Sequence, residues 1–334
     1  MLALAGLGAL LAAAALWSLG RGAMKLPPAD VAGAVLRRLA HAAPAPNDAI
    51  VLMLRLPRVL MALLVGATLA CAGAAMQGLF RNPLADPGLI GVSAGAALGA
   101  VAMIVLGGAL QGLAGSTGTA FAAFGGGLAA TALVHALGRR RPGVAVLLLA
   151  GVAINAIAMA GVGLLTYLAN ERQLRDLSFW MLGSLGGVDW TRLAIVAPPM
   201  LVPLLLLPRM ARALNALLLG ESEAALLGFR PARVQRRVVC LVALAVGAAV
   251  AMTGVIGFVG LVVPHLLRMA FGPDHRLLLP ASALGGASLL AVADALARTV
   301  VAPAELPIGV LTALVGGPFF LWLLLRARIG EARE

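Results

Sequence analysis

Apolar runs about as long as a bilayer is thick recur along this chain, and that recurrence limits what it can fold into. Ten such stretches lie at roughly 2–19, 57–79, 90–110, 118–137, 143–168, 190–208, 234–254, 256–271, 280–299 and 307–326. A membrane-crossing helix needs about 20 predominantly apolar residues. Composition agrees: 62% of the 334 residues are hydrophobic and 11% are charged, against about 25% charged in an ordinary soluble domain. The expectation is an all-α polytopic membrane protein with ten transmembrane helices, its 334 residues forming a single transmembrane domain.

The breaks between runs carry their own information. The N-terminal run MLALAGLGALLAAAALWSLG has no basic residue before it, so it reads as the first membrane helix rather than a signal peptide. Residues 20–56 contain Pro27, Pro28, Pro44 and Pro46 and read as an external loop. In 234–271 only Gly254 and Gly257 divide continuous apolar sequence, and Pro264 kinks the second half. Gly91, Gly95 and Gly99 recur every four residues, a spacing that lets membrane helices pack closely. A faint internal repeat pairs RNPLADPGLIGVSAGAALG from Arg81 with RMAFGPDHRLLLPASALGG from Arg268; each starts on arginine and ends on glycine.

Basic residues set the orientation. With the N-terminus in the cytoplasm, fifteen of the 25 lysines and arginines fall on cytoplasmic segments and ten outside. The Arg139, Arg140, Arg141 triplet and the arginines between 209 and 237 carry most of this bias, which places both termini in the cytoplasm. The net charge of +12 is spread over helix ends rather than gathered in a stripe, so nucleic acid is not a partner.

Several functions are argued against by what the sequence lacks. Cys71 and Cys240 each sit inside an apolar run, which excludes a disulfide framework. His41, His135, His265 and His275 show no ligand spacing, so no metal site is assigned. Lys25, the single lysine, lies outside any phosphate-binding loop. Asp294 and Arg298 are placed to pair as i and i+4, and Glu305 follows, but all three fall near a helix end. Helix centres nearly free of charge argue against a proton relay and against an enzyme. Such a bundle needs an outside source of energy.

The loop 209–232 offers a route for it. Within LGESEAALLGFRP, Ser222 is placed to N-cap a short helix with Glu223 in its first turn. Ala224, Ala225, Leu226 and Leu227 continue it, Gly228 is placed as a C-terminal cap, and Pro231 follows. A helix so short anchors poorly to a membrane surface, and its two leucines suit a docking knob for a cytoplasmic partner.

At this point the motifs resemble a known family, the FecCD-type permease subunits of binding-protein-dependent ABC importers for iron-siderophores, haem and vitamin B12. The resemblance is carried by LRLPR at 54–58, VGATLACAGAAMQGLFRNPLADPGLIGVSAGAALG at 65–99, LLLAGVAIN at 147–155, LGESEAALLG at 219–228, TGVIGFVGLVVPHLLR at 253–268 and AELPIGVLTALVGGPFFLWLLLR at 304–326. It implies a type II ABC importer permease architecture in the bacterial inner membrane. It further implies a homodimer, two cytoplasmic ATPase subunits, a periplasmic substrate-binding protein, and a path along the dimer axis lined by the fifth membrane helix. Catalysis would reside in the ATPase chains. By position, Arg55, Arg58 and Arg298 match the arginines that meet the binding protein. Gly220, Glu221, Ser222, Glu223, Ala224, Ala225, Leu226, Leu227 and Gly228 match the coupling helix, and Gly143, Val144 and Ala145 match the cytoplasmic gate. The vitamin B12 members carry polar residues at that gate, where this chain is apolar; an apolar constriction gates by excluding water.

FWMLGSLGGVDW at 179–190 looks most like the haem-importing members, so haem is the expected cargo, followed by ferric siderophore and then vitamin B12. No permanently bound cofactor is expected. The alternative from another class is an ion-coupled secondary carrier.

Overall fold

The computed structural model describes residues 2–331 except Ala23, Lys25, Pro44, Arg141 and Pro142. Of the orientation-setting residues, Arg141, Lys25 and Arg333 therefore lie outside the described residues. The helices in chain order are α1 (Leu2–Gly20), α2 (Pro28–Leu39), α3 (Leu56–Leu79), α4 (Val92–Leu106), α5 (Gly108–Arg140), α6 (Val144–Leu168), α7 (Glu171–Leu182), α8 (Trp190–Leu206), α9 (Ala211–Leu219), α10 (Glu221–Leu226), α11 (Pro231–Thr253), α12 (Val259–Phe271), α13 (His275–Ala297) and α14 (Ile308–Glu331). No strand occurs among the described residues.

Seven helical stretches are long and apolar enough to span a membrane, and α4, α12 and the apolar part of α14 are shorter apolar helices. Together they match the ten runs read from the sequence. One span joins α8 to α9 through a 3₁₀ turn at Leu207–Met210, giving a continuous stretch from Trp190 to Leu219. A π-helical turn, Ile50–Arg55, leads into α3. The α11–α12 break falls where the glycines predicted it: Gly254 takes φ +70° and Phe258 φ +67°.

Helix α3 is the centre of the bundle. It packs against α13, α12, α11 and α8, and 78% of its most apolar window is buried. Glycine makes this possible. Gly66 of α3 faces Gly286 of α13, and Gly73 faces Gly260, so closely that a Cβ on any of the four would press into backbone or a ring of the opposing segment. In the second layer α4 meets α5 the same way, with Gly95 against Gly126 and Gly99 against the Ala122 carbonyl. Lipid gives apolar side chains no drive to associate with one another, so close backbone approach supplies the dispersion that holds the helices together. The third glycine of the every-four pattern does something else. Gly91 takes φ +83° and opens α4 in the left-handed region.

Each copy of the faint repeat carries an aspartate cap, at the sixth residue of the first copy and the seventh of the second. In the first copy Asp86 accepts a hydrogen bond from Gly88 N–H and caps the turn Pro87–Ile90. In the second, Asp274 accepts from Arg276 N–H and caps α13. The closing glycines of the two copies, Gly99 and Gly286, are both helix-crossing contacts.

The segment 20–56 is not simply an extended loop. Pro28 opens the amphipathic α2, a first-turn position where proline lacks nothing the helix needs. Asp30 sits in its first turn and Arg37 and Arg38 in its last, each complementing the helix dipole. Arg37 then holds Asp48 by two hydrogen bonds of 2.9 and 2.6 Å.

Candidate functional sites at the two ends of the bundle

One end of the bundle gathers the three arginines singled out by the motifs. Arg58 grips Glu305 with two 2.9 Å hydrogen bonds and reaches Asp294 at 2.9 Å. Arg298 lies 3.0 Å from the other Asp294 oxygen and donates to the carbonyls of Arg21 and Ser18 and to the Ser18 hydroxyl. Arg55 donates to the carbonyls of Leu19 and Met24. The pairing of Asp294 with Arg298 expected from their spacing is present; the link to Arg58 was not legible, because 236 residues separate the partners.

This arrangement decides how much charge the end displays. Asp294 is fully buried, and Arg55 and Arg298 are buried with it. Arg58 keeps 14% of its side chain exposed and Glu305 46%. Three guanidiniums against two carboxylates leave one excess positive charge, and Glu305 covers the most accessible guanidinium. The same contacts tie α1 into the bundle. The carbonyls at its C-terminal end have no partner within the helix, and Arg55 and Arg298 supply one.

The opposite end carries α10. Its N-cap is Gly220, at φ +135°, and not Ser222 as the sequence suggested. The reason is backbone conformation: the chain enters α10 at φ +135°, which residues with a side chain rarely adopt, so glycine stands at the start of the helix. Glu221 and Glu223 both fall in the first turn, where the dipole favours them. The C-terminal end is as read. Gly228 N–H donates to Ala225 and Phe229 N–H to Ala224, with Gly228 at φ +86°, which is a Schellman motif. Pro231 then opens α11. Ala224 is fully buried, while Leu226 and Leu227 are 88% and 60% exposed. The helix is thus seated on the bundle by its alanine side and presents two leucines outward.

A cluster missed by the sequence reading secures the neighbouring α9. The Asn215 amide donates to Asp274 at 2.6 Å, and its oxygen accepts from His275 N–H at 2.9 Å. The same oxygen lies 2.8 Å from His275 Nδ1, so that nitrogen carries the proton. The Arg276 backbone N–H, followed by the Asn215 amide, holds the Asp274 carboxyl below its ordinary range. The signal in the sequence was the Asp274 cap; its partner 59 residues away was not visible.

Gly143 caps α6 at φ +149°, with Val144 packed on the core and Ala145 exposed. From there α6 shows a stripe of exposed residues at helical spacing: Leu149, Val152, Ala156, Ala160, Gly163 and Tyr167. Only 22% of its most apolar window is buried, in contrast to α3. One face of α6 therefore has no protein neighbour within the chain.

Comparison with known proteins places this architecture. The FecCD transport family matches residues 10–326. The hemin transport system permease protein HmuU of Yersinia pestis is 53% identical over 287 residues, covering 84% of this chain and 86% of the relative. The vitamin B12 import system permease protein BtuC of Escherichia coli O9:H4 (strain HS) is 46% identical over 284 residues, covering 84% and 85%. A solved structure described as an inward-facing conformation of a metal-chelate type ABC transporter superposes with a TM-score of 0.85 at 35% identity, covering 97% of this chain and 98% of that one. The ten apolar helices form an ABC importer permease architecture, and the chain belongs to the FecCD transport family.

Proposed function

We propose that the chain is the membrane-spanning subunit of an inner-membrane importer that takes haem from a periplasmic binding protein and releases it in the cytoplasm. Two copies pair with their α6 stripes toward the shared axis, and two ATPase subunits dock beneath, at the α10 end. Both termini face the cytoplasm in this reading, in accord with the arginine bias. The observation that carries it is α10: a short helix capped at its C-terminal end, seated by buried Ala224, and offering Leu226 and Leu227 to something outside the chain. A rigid, capped knob transmits a push from a closing partner better than a frayed one.

The binding protein docks at the opposite end. Arg58 is the working charge there, and Glu305 is its resting partner, so an incoming carboxylate exchanges for Glu305. Exchange of one half-exposed ion pair for another costs little net free energy, which suits reversible docking steered by charge. Gly143, Val144 and Ala145 form the cytoplasmic gate, closing by exclusion of water.

Haem as cargo rests on the hemin permease relative and on the 179–190 segment. The test is ATP-driven uptake into proteoliposomes holding the permease, its ATPase and its binding protein, with haem, a ferric siderophore and vitamin B12 offered separately. Preferential haem uptake is expected. Preferential uptake of either of the others reassigns the cargo, and uptake that ignores ATP and collapses with a protonophore makes the chain a secondary carrier.

A further inference from the structure

A cavity lies away from the α6 stripe and the α10 end. Helices α5 and α8 both pack on α11 and diverge from each other, leaving a cleft of about 820 Å³. That is within the range of about 300–1,000 Å³ usual for organic ligands. Ala248, Ala251 and Met252 of α11 form its floor. Phe121 and Phe124 line one wall, and Ile195, Val196 and Pro199 the other. Phe121 and Ile195 are 63% and 47% exposed at the opening. They sit on membrane helices, so the cleft opens sideways toward lipid. Gly115, at φ +53° and ψ −142°, breaks α5 and lines the cleft.

The rim is polar and charged. It is formed by α7, whose Gln173 amide donates to the Val105 carbonyl at the end of α4, and by the start of α8. Arg172 and Arg192 line it against Asp176, one positive charge in excess. Arg192 also donates to the Ser116 hydroxyl at 2.6 Å, which holds its guanidinium across the mouth. Trp180 lines the same cavity, as expected of tryptophan at a membrane–water boundary.

We infer that this cleft is a binding site for one anionic phospholipid, an acyl chain lying between α5 and α8 on α11 and its headgroup held by Arg172 and Arg192. A soluble anion would satisfy the guanidiniums and leave the apolar floor in contact with water, at a hydrophobic cost. A zwitterionic lipid would fill the floor and leave the excess charge unmatched. A singly charged anionic lipid satisfies both, as basic pockets between membrane helices do elsewhere. The site belongs to a single chain and does not depend on which cargo the permease carries.

Trp180 gives a direct readout. In the full-length chain with Trp17, Trp190 and Trp322 changed to phenylalanine, Trp180 is the sole indole. Reconstituted into phosphatidylcholine bilayers, it should be quenched by brominated phosphatidylglycerol at far lower mole fraction than by brominated phosphatidylcholine. Arg172→Gln and Arg192→Gln should each reduce that preference by about fivefold, and Arg172→Lys should retain it. Ala251→Phe, which fills the floor and leaves the rim charge in place, should weaken quenching by both lipids. Equal quenching by the two lipids overturns the inference, as does quenching unchanged by Ala251→Phe. Relief of quenching on adding inorganic phosphate at constant ionic strength also overturns it, and makes the rim a soluble-anion site.

Discussion

Arg58 of α3 and Asp294 of α13 meet at 2.9 Å across 236 residues of sequence, and Arg298 closes on the same carboxylate from the other side. Asp294 is fully buried; Arg298 has it as its carboxylate partner, and Arg58 shares its charge between Asp294 and Glu305. Removing one partner of a buried pair leaves an uncompensated charge and costs about 3–5 kcal/mol. Asp294→Ala should therefore sharply lower the thermal unfolding temperature in detergent. Glu305→Gln, at a half-exposed position, should cost about 1 kcal/mol or less. Equal losses in the two variants would mean that Asp294 is not the keystone of this end.

The same pair gives the docking prediction. If Glu305 is a resting partner that an incoming carboxylate displaces, Glu305→Gln frees Arg58 and should tighten binding of the substrate-loaded binding protein, mainly through a faster association rate that falls with salt. Arg58→Glu should abolish that salt dependence. Association rates by surface-immobilised binding assay decide it: a Glu305→Gln variant that binds more weakly would show that Glu305 itself faces the partner.

Gly66 and Gly286 make the α3–α13 crossing, and their contact is backbone to backbone. Neither side can move aside as a flexible side chain would. Gly66→Val should destabilise by about 1–3 kcal/mol or prevent membrane insertion of a folded chain. Gly125 of α5 has nothing within 4 Å of a built Cβ, so Gly125→Ala should be neutral or stabilising by up to about 1 kcal/mol. Thermal unfolding of the two variants in one detergent separates the crossing from a general effect of losing glycine.

What the sequence revealed and what it hid follow from the range of each signal. Apolar run length is local, so all ten membrane helices were legible, including α12 and its glycine-marked start. The Gly228 cap was legible because a Schellman motif spans only a few residues. Ser222 misled because residue type alone does not reveal that the chain enters α10 at Gly220 with a positive φ. Helix α2 was hidden by counting prolines without noting that Pro28 stands at a first-turn position ahead of Asp30 and before Arg37 and Arg38. The partners of Arg58, Asn215 and Gln173 lie 59 to 247 residues away, and no local pattern reports such distances. The cleft between α5 and α8 depends on how helices distant in sequence pack on α11, which leaves no mark on residue type.

Asp48 supplies a pH test outside the membrane spans. Its hydrogen bonds with Arg37, and then with Ala45 N–H, hold its pKa down to about 2. A carboxyl depressed in the folded state contributes stability above its ordinary value of about 4 and loses it as pH falls toward the folded value. Hydrogen exchange over α2 should therefore quicken between about pH 4 and pH 2, beyond the intrinsic chemical trend. Asp48→Asn should exchange faster at neutral pH and lose that extra acid step; retention of the step would assign it to another group.

Leu226 and Leu227 decide the proposed energy route. Their side chains are 88% and 60% exposed on a helix whose buried contact is Ala224, so replacing them removes almost nothing from the chain's own packing. Leu226→Asp with Leu227→Asp should leave thermal unfolding within about 0.5 kcal/mol of the parent, as surface changes do. Where an apolar side chain is a buried anchor in a partner's pocket, its truncation costs about 2 kcal/mol or more. Introducing two carboxylates there should prevent co-purification of the ATPase and abolish its stimulation by the binding protein. Asn215→Leu probes the same route from behind. It removes the link from α9 to Asp274 and His275 without touching the exposed leucines, so the ATPase should still bind while transport per ATP falls. Full ATPase stimulation in the double aspartate variant would show that the partner docks elsewhere. Unchanged transport in Asn215→Leu would show that α9 and α13 need not move together.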